Sequence, residues 1–271
     1  MLASRTLPRD PEAHAVEVMH ATYGARAMEL PPVAIVIAAY NEEGAIGPVV
    51  EQLPRTVCGL KTEVIVVADG CVDATAKEAD IAGAVVCDVP VNQGQGAALR
   101  LGYRLAREGG ALYIVTTDAD GQYDPTEIES LIAPIVEGRA DFVTGSRRMG
   151  SEQTRDPVRK AGVRFFALLV SALTGQRISD TTFGLRAMRA EVTGAVLLEQ
   201  PQYQASELMI SAAMHGFRLG EVPTTMRDRG EHATATKKGG NLGYGLRFFR
   251  AAIYTWWRDR GAKRRRPRIG A

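Results

Sequence analysis

The sequence predicts an α/β fold in which a mostly parallel β-sheet is flanked by helices. Short runs of apolar, often β-branched residues alternate with segments of helical character through the first half of the chain. These runs are apolar at nearly every position rather than at every second one, which is typical of parallel strands buried on both faces. Strand–helix alternation at this spacing favours one layered sheet over separate β and α domains.

Five strands are predicted where apolar runs are bounded by turn-like residues. The first run, VAIVIA at 33–38, follows two prolines, and the second, EVIVV, covers 63–67. The third covers 84–89, the fourth is ALYIVTT at 111–117, and the fifth covers 140–144. After a less regular stretch, a late strand is expected at 217–222.

Helices are predicted between the strands and through the second half of the chain. They cover 73–82, 94–108, 125–137, 158–174 and 207–215, and a further helix is expected within 11–30. Pro125 suits a first helical turn, where its missing N–H costs nothing. A last helix is expected at 242–257, because its apolar residues step by four, three, four and three and so form one stripe. The stripe comprises Leu242, Leu246, Phe249, Ile253 and Trp256.

Composition indicates one globular domain with an extension at each end. The 28 glycines and 13 prolines among 271 residues are too few for a low-complexity chain, which needs about 25–30% of such residues. No interior linker or repeat divides the chain, so we assign an N-terminal extension to 1–30 and the main domain to 31–230. An amphipathic helix and a basic tail fill 231–271. The net charge of +2 predicts no nucleic-acid partner.

The sequence favours a cytoplasmic protein, with contact at the inner face of the cell membrane left open. Three cysteines without a CxxC pair fit a reducing compartment, and the start lacks the apolar core of a signal peptide. The longest apolar run, 165–175, is shorter than the ~20 residues that span a bilayer. A basic cluster near the end is either a solvated tail or a site of attraction to anionic lipid. It comprises Arg258, Arg260, Lys263, Arg264, Arg265, Arg266 and Arg268.

Polar and acidic residues follow three predicted strands at the point where each strand ends. The segments are AYNEE at 39–43, ADGCVD at 68–73 and DADGQ at 118–122. Ligands of open α/β sheets bind outside the carboxyl ends of the strands, so these segments predict one shared site. Asp118 and Asp120 are two residues apart and project to the same side of an extended segment, where both can face one hard cation. The alternative is a turn with a helix cap.

The glycine-rich segment NQGQG at 92–96 leaves two interpretations open. Its spacing departs from GxGxxG, and no GxxxxGK[ST] motif occurs in the chain, so a P-loop nucleotidase is disfavoured. The segment is either a glycine turn that starts a helix or a place where the backbone approaches a sugar or phosphate closely.

Together the motifs resemble those of family 2 glycosyltransferases with the GT-A fold, a Rossmann-like nucleotide-sugar-binding domain. AAYNEE, VVADGCVDAT, NQGQGAALRLG, TTDADGQYDP and FVTGSRRMG occur in the order of that family, over residues 33–229. The chain is most similar to the branch that transfers mannose to dolichyl or polyprenyl phosphate.

The resemblance implies roles for the matching residues. Donor binding is implied for Ala39, Tyr40, Glu42, Asp69, Gly96, Asp118 and Ala119. A divalent metal, Mg²⁺ or Mn²⁺, bridging the donor diphosphate is implied at Asp118, Asp120 and Gln122. The acceptor site comprises Arg147, Asp180 and Arg186, of which the two arginines match contacts to the acceptor phosphate. Catalytic roles are implied for Glu207, beside the transferred sugar, and for Arg227 and Arg229, near the diphosphate.

The chain departs from the family pattern at several positions near the acceptor and the phosphates. The usual DDGS stands as ADGC with Cys71, the usual lysine of the GKG turn is Gln95, and TSGFR becomes TFGLR. The expected GxSK after Arg229 is replaced by GEHATATKKGG. The donor side of the predicted site is therefore better matched than the acceptor side.

These features predict a metal-dependent, inverting glycosyltransferase that moves a hexose from GDP-mannose or a UDP-sugar to a polyprenyl phosphate. The alternative acceptor is a hydroxyl of a small molecule, which needs a carboxylate base within ~3 Å, whereas a phosphate monoester with a second pKa near ~6 does not. Glu207 is the first candidate for that base and Asp180 the second. A non-catalytic nucleotide-sugar binder is a third hypothesis. Whether the last helix contacts membrane, the main domain or a second copy in a homodimer stays open.

Overall fold

A single sheet runs through the computed structural model, which describes residues 10–152, 157–200, 203–227 and 241–262. In these residues the sheet has eight strands. They are β1 Val33–Ala39, β2 Thr56–Val57, β3 Leu60–Asp69, β4 Val85–Val89, β5 Tyr113–Asp118, β6 Phe142–Glu152, β7 Arg186–Arg189 and β8 Leu219–Met226. The six strands predicted from apolar runs are confirmed, and β3, β6 and β8 extend beyond the predicted bounds.

The spatial order of the strands is β4-β3-β1-β5-β7-β6-β8, with the short β2 pairing antiparallel to the start of β3. β1 is parallel to β3 and β5, and β6 is parallel to β8. β7 runs antiparallel between β5 and β6, so the sheet is mostly parallel, as predicted. The sequence analysis missed β7 because arginines stand at both ends of its four residues.

Helices cover both faces of the sheet, and each helix predicted from the sequence is present. The helices are α1 Pro11–Tyr23, α2 Ala25–Met28, α3 Ile46–Gln52, α4 Thr75–Ile81, α5 Gln95–Glu108, α6 Ile128–Val136, α7 Pro157–Thr174, α8 Ala190–Ala195, α9 Gln204–Met214 and α10 Asn241–Asp259. A short 3₁₀ helix at Pro125–Glu127 leads into α6. The sequence analysis did not predict α3 or α8.

The two faces of β1 show why its sequence is apolar at successive positions. Val33, Ile35 and Ile37 belong to a core shared with α3, α4 and α6. Ala34 and Val36 belong to a second core shared with α1, α5, α7, α9 and α10. Every position of the strand therefore contacts apolar side chains on one face or the other, as expected of a central parallel strand.

The N-terminal helix packs onto the sheet. Ala15 and Met19 of α1 are both 2% exposed and belong to the core beside β4. The Tyr23 hydroxyl donates to Asp80, and the Arg26 guanidinium donates to both oxygens of Glu63. These contacts join residues 11–28 to the main domain.

The face of α10 that packs inward coincides only in part with the apolar stripe, of which Trp256 packs against the core. Phe248, Ala252 and Thr255 are buried, and the Phe248 ring lies 4.1 Å from the Phe166 ring of α7, measured between centroids. Leu246 and Phe249 of the predicted stripe are 61% and 38% exposed. The helix has apolar residues on two adjacent faces. Steps of four, three and four also relate the buried residues Phe248, Ala252, Thr255 and Asp259, so periodicity alone does not select the packed face. Within the described residues, no helix is both long and apolar enough to cross a bilayer.

Candidate functional site

A crevice of about 360 Å³ opens at the carboxyl ends of β1 and β5. Its acidic lining residues are Glu42, Asp118, Asp120 and Asp124, and Arg227 also lines it. Pro48, Val49, Leu53, Ile128 and Leu185 supply apolar wall. Because Ala38 of β1 pairs with Asp118 of β5, and Ala39 pairs with Ala68 of β3, the three polar segments predicted to meet lie at one edge of the sheet.

The Asp118 carboxylate is held by a tyrosine and a glycine that the sequence analysis did not select. The backbone N–H of Gly184 donates to the Tyr123 hydroxyl at 2.9 Å, and that hydroxyl is hydrogen-bonded to Asp118. Burial, with the charge of Asp118, raises the pKa of Tyr123 well above its ordinary value, so the hydroxyl keeps its proton. A Cβ atom on Gly184 would lie 2.4 Å from Asp118 Oδ2.

The loop that follows Asp118 is tied to the end of β8. Asp120 Oδ1 accepts from the Gln122 N–H at 3.2 Å, and Gln122 Nε2 donates to the Arg227 carbonyl at 3.1 Å. The Arg227 N–H donates back to the Gln122 carbonyl at 2.9 Å, and the Arg227 guanidinium pairs with Asp124. This ladder brings Arg227 to the crevice, while the Gln122 amide nitrogen is used on the protein backbone. Arg229 lies outside the described residues.

The donor atoms of the crevice fit a hard divalent cation. Asp118 and Asp120 offer carboxylate oxygens on one side of the crevice, which Mg²⁺ and Mn²⁺ prefer. In the described part of the chain no group of three or more His, Cys, Asp or Glu side chains could hold a metal alone. Two carboxylates leave coordination positions for water and ligand phosphates, as Mg²⁺ sites commonly do.

Asp69 shapes the glycine-rich turn at 92–96. Its two carboxylate oxygens accept from the Gln93 N–H at 2.9 Å and the Gly94 N–H at 2.7 Å. Burial raises the pKa of Asp69, and these backbone hydrogen bonds oppose the rise. Gly70 has φ +69°, and a Cβ there would lie 2.2 Å from the Asn92 nitrogen. The β3 loop and the turn therefore pack backbone to backbone.

The opposite side of the same turn contacts the segment before α9 and the first residue of α9. A Cβ on Gly96 would lie 2.3 Å from Gln204 Nε2 and 2.5 Å from the Gln200 carbonyl oxygen. The turn is thus enclosed between Asp69 and the two glutamines. The turn leads into α5, which agrees with the interpretation of this segment as a glycine turn that starts a helix.

The remaining predicted donor residues lie in the loop after β1. Ala39 is buried, Tyr40 is 51% exposed, and the Glu42 N–H donates to Thr75 Oγ1 at 2.8 Å. Asn41 Oδ1 accepts from the Val72 N–H at 3.0 Å. These bonds join the β1 loop to the β3 loop. Ala119 is buried beside Asp118.

Glu207 is buried and fully engaged with the protein. Its Oε1 accepts from the Glu199 N–H at 2.9 Å, and its Oε2 accepts from the Gln200 N–H at 3.0 Å. Arg258 of α10 approaches Oε1 at 3.3 Å. The side chain of Glu207 is 1% exposed.

Asp180, the second candidate for a base, forms a buried ion pair with Arg147. Arg147 Nε donates to Asp180 Oδ2 at 2.6 Å, and Nη2 donates to Oδ1 at 3.2 Å. Nη2 also donates to Thr182 Oγ1 at 2.7 Å, and the two charged side chains are 3% and 0% exposed. Two of the three predicted acceptor residues therefore bind each other.

Arg186 is the predicted acceptor residue whose hydrogen-bonding capacity is not filled. Its Nε donates to the Phe183 carbonyl at 2.8 Å, but among the described residues its buried Nη1 has no hydrogen-bond partner. Arg186 pairs with Thr116 in the sheet, two residues along from Asp118. A buried guanidinium with an unsatisfied N–H is costly unless an anion or water meets it.

The sequence offered partial signals for the residues that were missed. Gly184 and Tyr123 stand inside quoted motifs, TFGLR and DADGQYDP, but nothing in one sequence shows that they touch. Arg258 was counted with the basic tail. The hydrogen bonds from Arg258 to Asp259 outweigh the effect of burial and raise the pKa of Arg258 above its ordinary value. The charge of Arg258 is therefore paired within the protein and does not belong to a solvated tail.

The sheet and its acidic strand ends define a GT-A glycosyltransferase fold. A crystal structure of glucosyl-3-phosphoglycerate synthase from Mycobacterium tuberculosis, in complex with Mn²⁺, uridine diphosphate and phosphoglyceric acid, superposes with a TM-score of 0.62. The superposition covers 90% of this chain and 82% of that one, at 23% sequence identity. At this identity the likeness establishes the fold, and the predicted fold class is confirmed.

The comparison with families and relatives defines the enzyme class more narrowly. The profile described as Glycosyl transferase family 2 matches residues 34–197. A dolichyl-phosphate hexose transferase from Haloferax volcanii is 34% identical over 201 residues, 72% of this chain and 83% of that protein. An undecaprenyl-phosphate mannosyltransferase from Micrococcus luteus is 30% identical over 224 residues, 77% of this chain and 88% of that protein. The chain belongs to glycosyl transferase family 2 and is a glycosyltransferase, as the motifs predicted.

Proposed function

We propose that the protein transfers a hexose from a nucleotide-diphosphate sugar to a polyprenyl phosphate. The names of the two relatives, a dolichyl-phosphate hexose transferase and an undecaprenyl-phosphate mannosyltransferase, support this acceptor class. GDP-mannose and UDP-hexoses are the donors to be tried, since the nucleobase and the sugar are not fixed by the residues described above.

The observation that carries the proposal is the state of the two candidate bases. Glu207 accepts two backbone N–H groups and faces Arg258, and Asp180 is paired with Arg147. Both oxygens of each carboxylate already accept hydrogen bonds from the protein, and the two side chains are 1% and 0% exposed, so neither is presented to an acceptor hydroxyl. A hydroxyl acceptor needs such a base, whereas a phosphate acceptor is already an anion at neutral pH. The arrangement therefore favours the phosphate.

The positive groups match the negative charges of this reaction. Arg186 has an unfilled buried N–H for an acceptor phosphate oxygen, and Arg227 lies at the crevice, where a leaving diphosphate gains charge. Asp118 and Asp120 would hold the divalent cation, which when bound neutralises charge on the diphosphate. Because the acceptor phosphate is itself the nucleophile, a single displacement with inversion needs no covalent bond to the protein.

The acceptor class also requires a place for a lipid, and we assign it to an exposed apolar surface on α7 and α10. This surface comprises Phe165, Leu168, Leu246 and Phe249, exposed by 55%, 72%, 61% and 38%. The Phe166–Phe248 ring contact holds the two helices side by side. Arg164, Arg247 and Arg250 are exposed on the same helices, and their charge complements anionic lipid headgroups. The protein would then act as a peripheral enzyme on a membrane surface.

The test compares two acceptors that differ only in the phosphate. The purified enzyme is incubated with Mn²⁺ and radiolabelled GDP-mannose or UDP-glucose, and with undecaprenyl phosphate or undecaprenol in mixed vesicles. We expect label to enter the lipid only with undecaprenyl phosphate, and Arg186→Met to reduce this transfer by about 10²-fold or more, as the loss of one preorganised donor does. Transfer to undecaprenol, or to a small-molecule alcohol instead of either lipid, would contradict the proposal.

A further inference from the structure

Arg258 occupies the centre of a polar cluster that joins α10 to the segment before α9. Its guanidinium donates to Glu199 Oε2 at 2.8 Å, to the Leu197 carbonyl at 2.7 Å and to Ser211 Oγ at 3.1 Å. It also donates to Asp259 through Nε at 2.8 Å and to Glu207 Oε1 at 3.3 Å. The Arg258 side chain is only 14% exposed. One side chain of the last helix thus contacts four groups on the domain, in addition to Asp259 of its own helix.

Glu207 extends this cluster to the backbone of the same segment. Glu207 accepts the backbone N–H groups of Glu199 and Gln200. Arg258 binds the side chain of the same Glu199. Arg258 and Glu207 therefore hold one short stretch of chain from both sides. We call Arg258, Glu199 and Glu207 the arginine clasp.

The segment held by the clasp forms one wall of the glycine-rich turn. The Gln200 carbonyl oxygen and Gln204 Nε2 lie against Gly96, so close that no larger residue fits there. Asp69 holds the other side of the turn through the Gln93 and Gly94 N–H groups. A shift of residues 199–200 would leave one side of this turn without support.

We propose that Arg258 is a positioning residue for donor binding, because the arginine clasp fixes the segment that supports the turn at 92–96. Glu207 then acts in the same way, as a holder of backbone rather than as a base. The inference rests on the proposed function, since it takes the turn to be part of the donor site. It also links the donor site to α10, the helix that bears part of the exposed apolar surface.

Hydrogen–deuterium exchange on the full chain without ligand tests the clasp. Arg258→Met keeps much of the aliphatic stem and removes every N–H donor. Arg177→Met removes an exposed arginine after α7 and is the matched control. We expect amide exchange at 199–200 and 93–98 to accelerate about tenfold in Arg258→Met and not in the control, since hydrogen bonds to charged groups are lost. Equal exchange in both variants would overturn the inference.

A second variant covers the case in which Arg258→Met does not fold. Glu199→Gln changes a side chain that is 44% exposed and leaves the other partners of Arg258 in place. We expect the same two segments to exchange faster, by a smaller factor. No change in Glu199→Gln would also overturn the inference.

Donor titration distinguishes positioning from general damage to the fold. With UDP and GDP as ligands, we expect Arg258→Met to raise Kd about fivefold while kcat at saturating donor stays within about twofold, and Arg258→Lys to restore part of the affinity. The pH profile of kcat should be the same for Glu207→Gln and the wild type; loss of one limb in this variant would show a base and contradict the inference. If the wild type binds neither nucleotide, the proposed function fails, whereas the exchange comparison still decides whether the clasp holds the turn.

Discussion

The Tyr123 hydroxyl and the absence of a Cβ atom at Gly184 determine where the Asp118 carboxylate lies. Tyr123 is bound by the Gly184 N–H and reaches Asp118 from a buried position, so its ring cannot turn away. Gly184 provides the space, because any side chain there would meet both Asp118 Oδ2 and the Tyr123 hydroxyl oxygen within 2.6 Å. The orientation of the Asp118 carboxylate, which we propose to bind the metal, is therefore set by two residues that contribute no ligand in that proposal.

Gly184→Ala should leave the protein folded and weaken its binding of Mn²⁺ and nucleotide. The new Cβ displaces the Asp118 carboxylate, and a misplacement of about 1 Å can reduce activity by ~10²-fold. Calorimetry with Mn²⁺ and UDP or GDP measures the loss, with Asp120→Asn as the reference for a missing ligand. Gly162→Ala is the control, since a Cβ there meets nothing within 4 Å. Wild-type affinity in Gly184→Ala would refute the role given to this glycine.

The Asp141 carboxylate joins one end of each of the strands β6, β7 and β8. Asp141, just before β6, accepts from the Arg218 N–H at 2.9 Å and from its guanidinium at 3.0 and 3.1 Å. Arg189, at the end of β7, lies 3.4 Å from the same carboxylate. Burial raises the pKa of Asp141, but the hydrogen bonds and charge of Arg218 outweigh it and hold the pKa below its ordinary value.

Asp141→Asn should therefore destabilise the protein at neutral pH by about 1–2 kcal/mol, allowing for the exposure of Arg218. A depressed folded-state pKa gives stability that is complete above the unfolded-state pKa of ~3.9 and is lost as the pH falls through the folded value. Urea unfolding at pH 7 and at pH 3.5 should show the difference from the wild type shrinking at the lower pH. Glu51→Gln, at an exposed carboxyl, is the control. A constant difference at both values would contradict the assignment.

The exposed apolar surface of α7 and α10 predicts binding to anionic vesicles at low salt. Leu246→Ser should lower the vesicle partition coefficient by about tenfold, because full burial of a leucine contributes about 1.5–3 kcal/mol and a membrane interface buries only part of it. Sedimentation with vesicles measures the binding. Ile81→Ser, 73% exposed on α4 beneath the other face of the sheet, is the matched control. Absence of binding by the wild type would exclude the membrane surface proposed above.

At the scale of the whole molecule, the sequence predicted the parallel part of the fold better than the rest. Runs such as VAIVIA are apolar at successive positions because both faces of the strand are buried. This pattern lies within one short segment, so it can be recognised without knowing which strands are neighbours. β7 could not be predicted, since its burial comes from β5 and β6 on either side. The contacts of α10 were left open, because two adjacent faces of the helix have the same periodicity and the apolar stripe alone does not select the packed face.

The candidate site follows the same division. Asp118, Asp120 and Asp69 could be selected from the sequence because acidic residues at strand ends are unusual, and the parallel register places these strand ends beside one another. The pairings of Arg147 with Asp180 and of Glu207 with Arg258 join residues 33 and 51 positions apart. No spacing rule predicts such contacts, so the partners of each carboxylate could be identified only from the structure.

Met19→Ala tests whether the first helix belongs to the same folding unit as the sheet. Met19 is 2% exposed against β4, and its truncation should cost about 2–4 kcal/mol in the free energy of unfolding. Val18, its neighbour, is 50% exposed, and Val18→Ala should cost less than ~0.5 kcal/mol. Urea unfolding in a single transition measures both. Equal effects would place the domain boundary near residue 31, where the sequence alone puts it.

The arginine clasp has a consequence for how the enzyme is made. A chain is synthesised from its N-terminus, and domains begin to fold as they emerge. Arg258 follows Glu207 by 51 residues and comes after all eight described strands, so the acidic strand ends can assemble before their clasp exists. A nascent chain that ends short of residue 258 has Asp118, Asp120 and the Asp69 side of the turn, but Leu197 and Glu199 lack the hydrogen bonds of Arg258. Tight nucleotide binding would then be acquired late in synthesis, as the final helix docks.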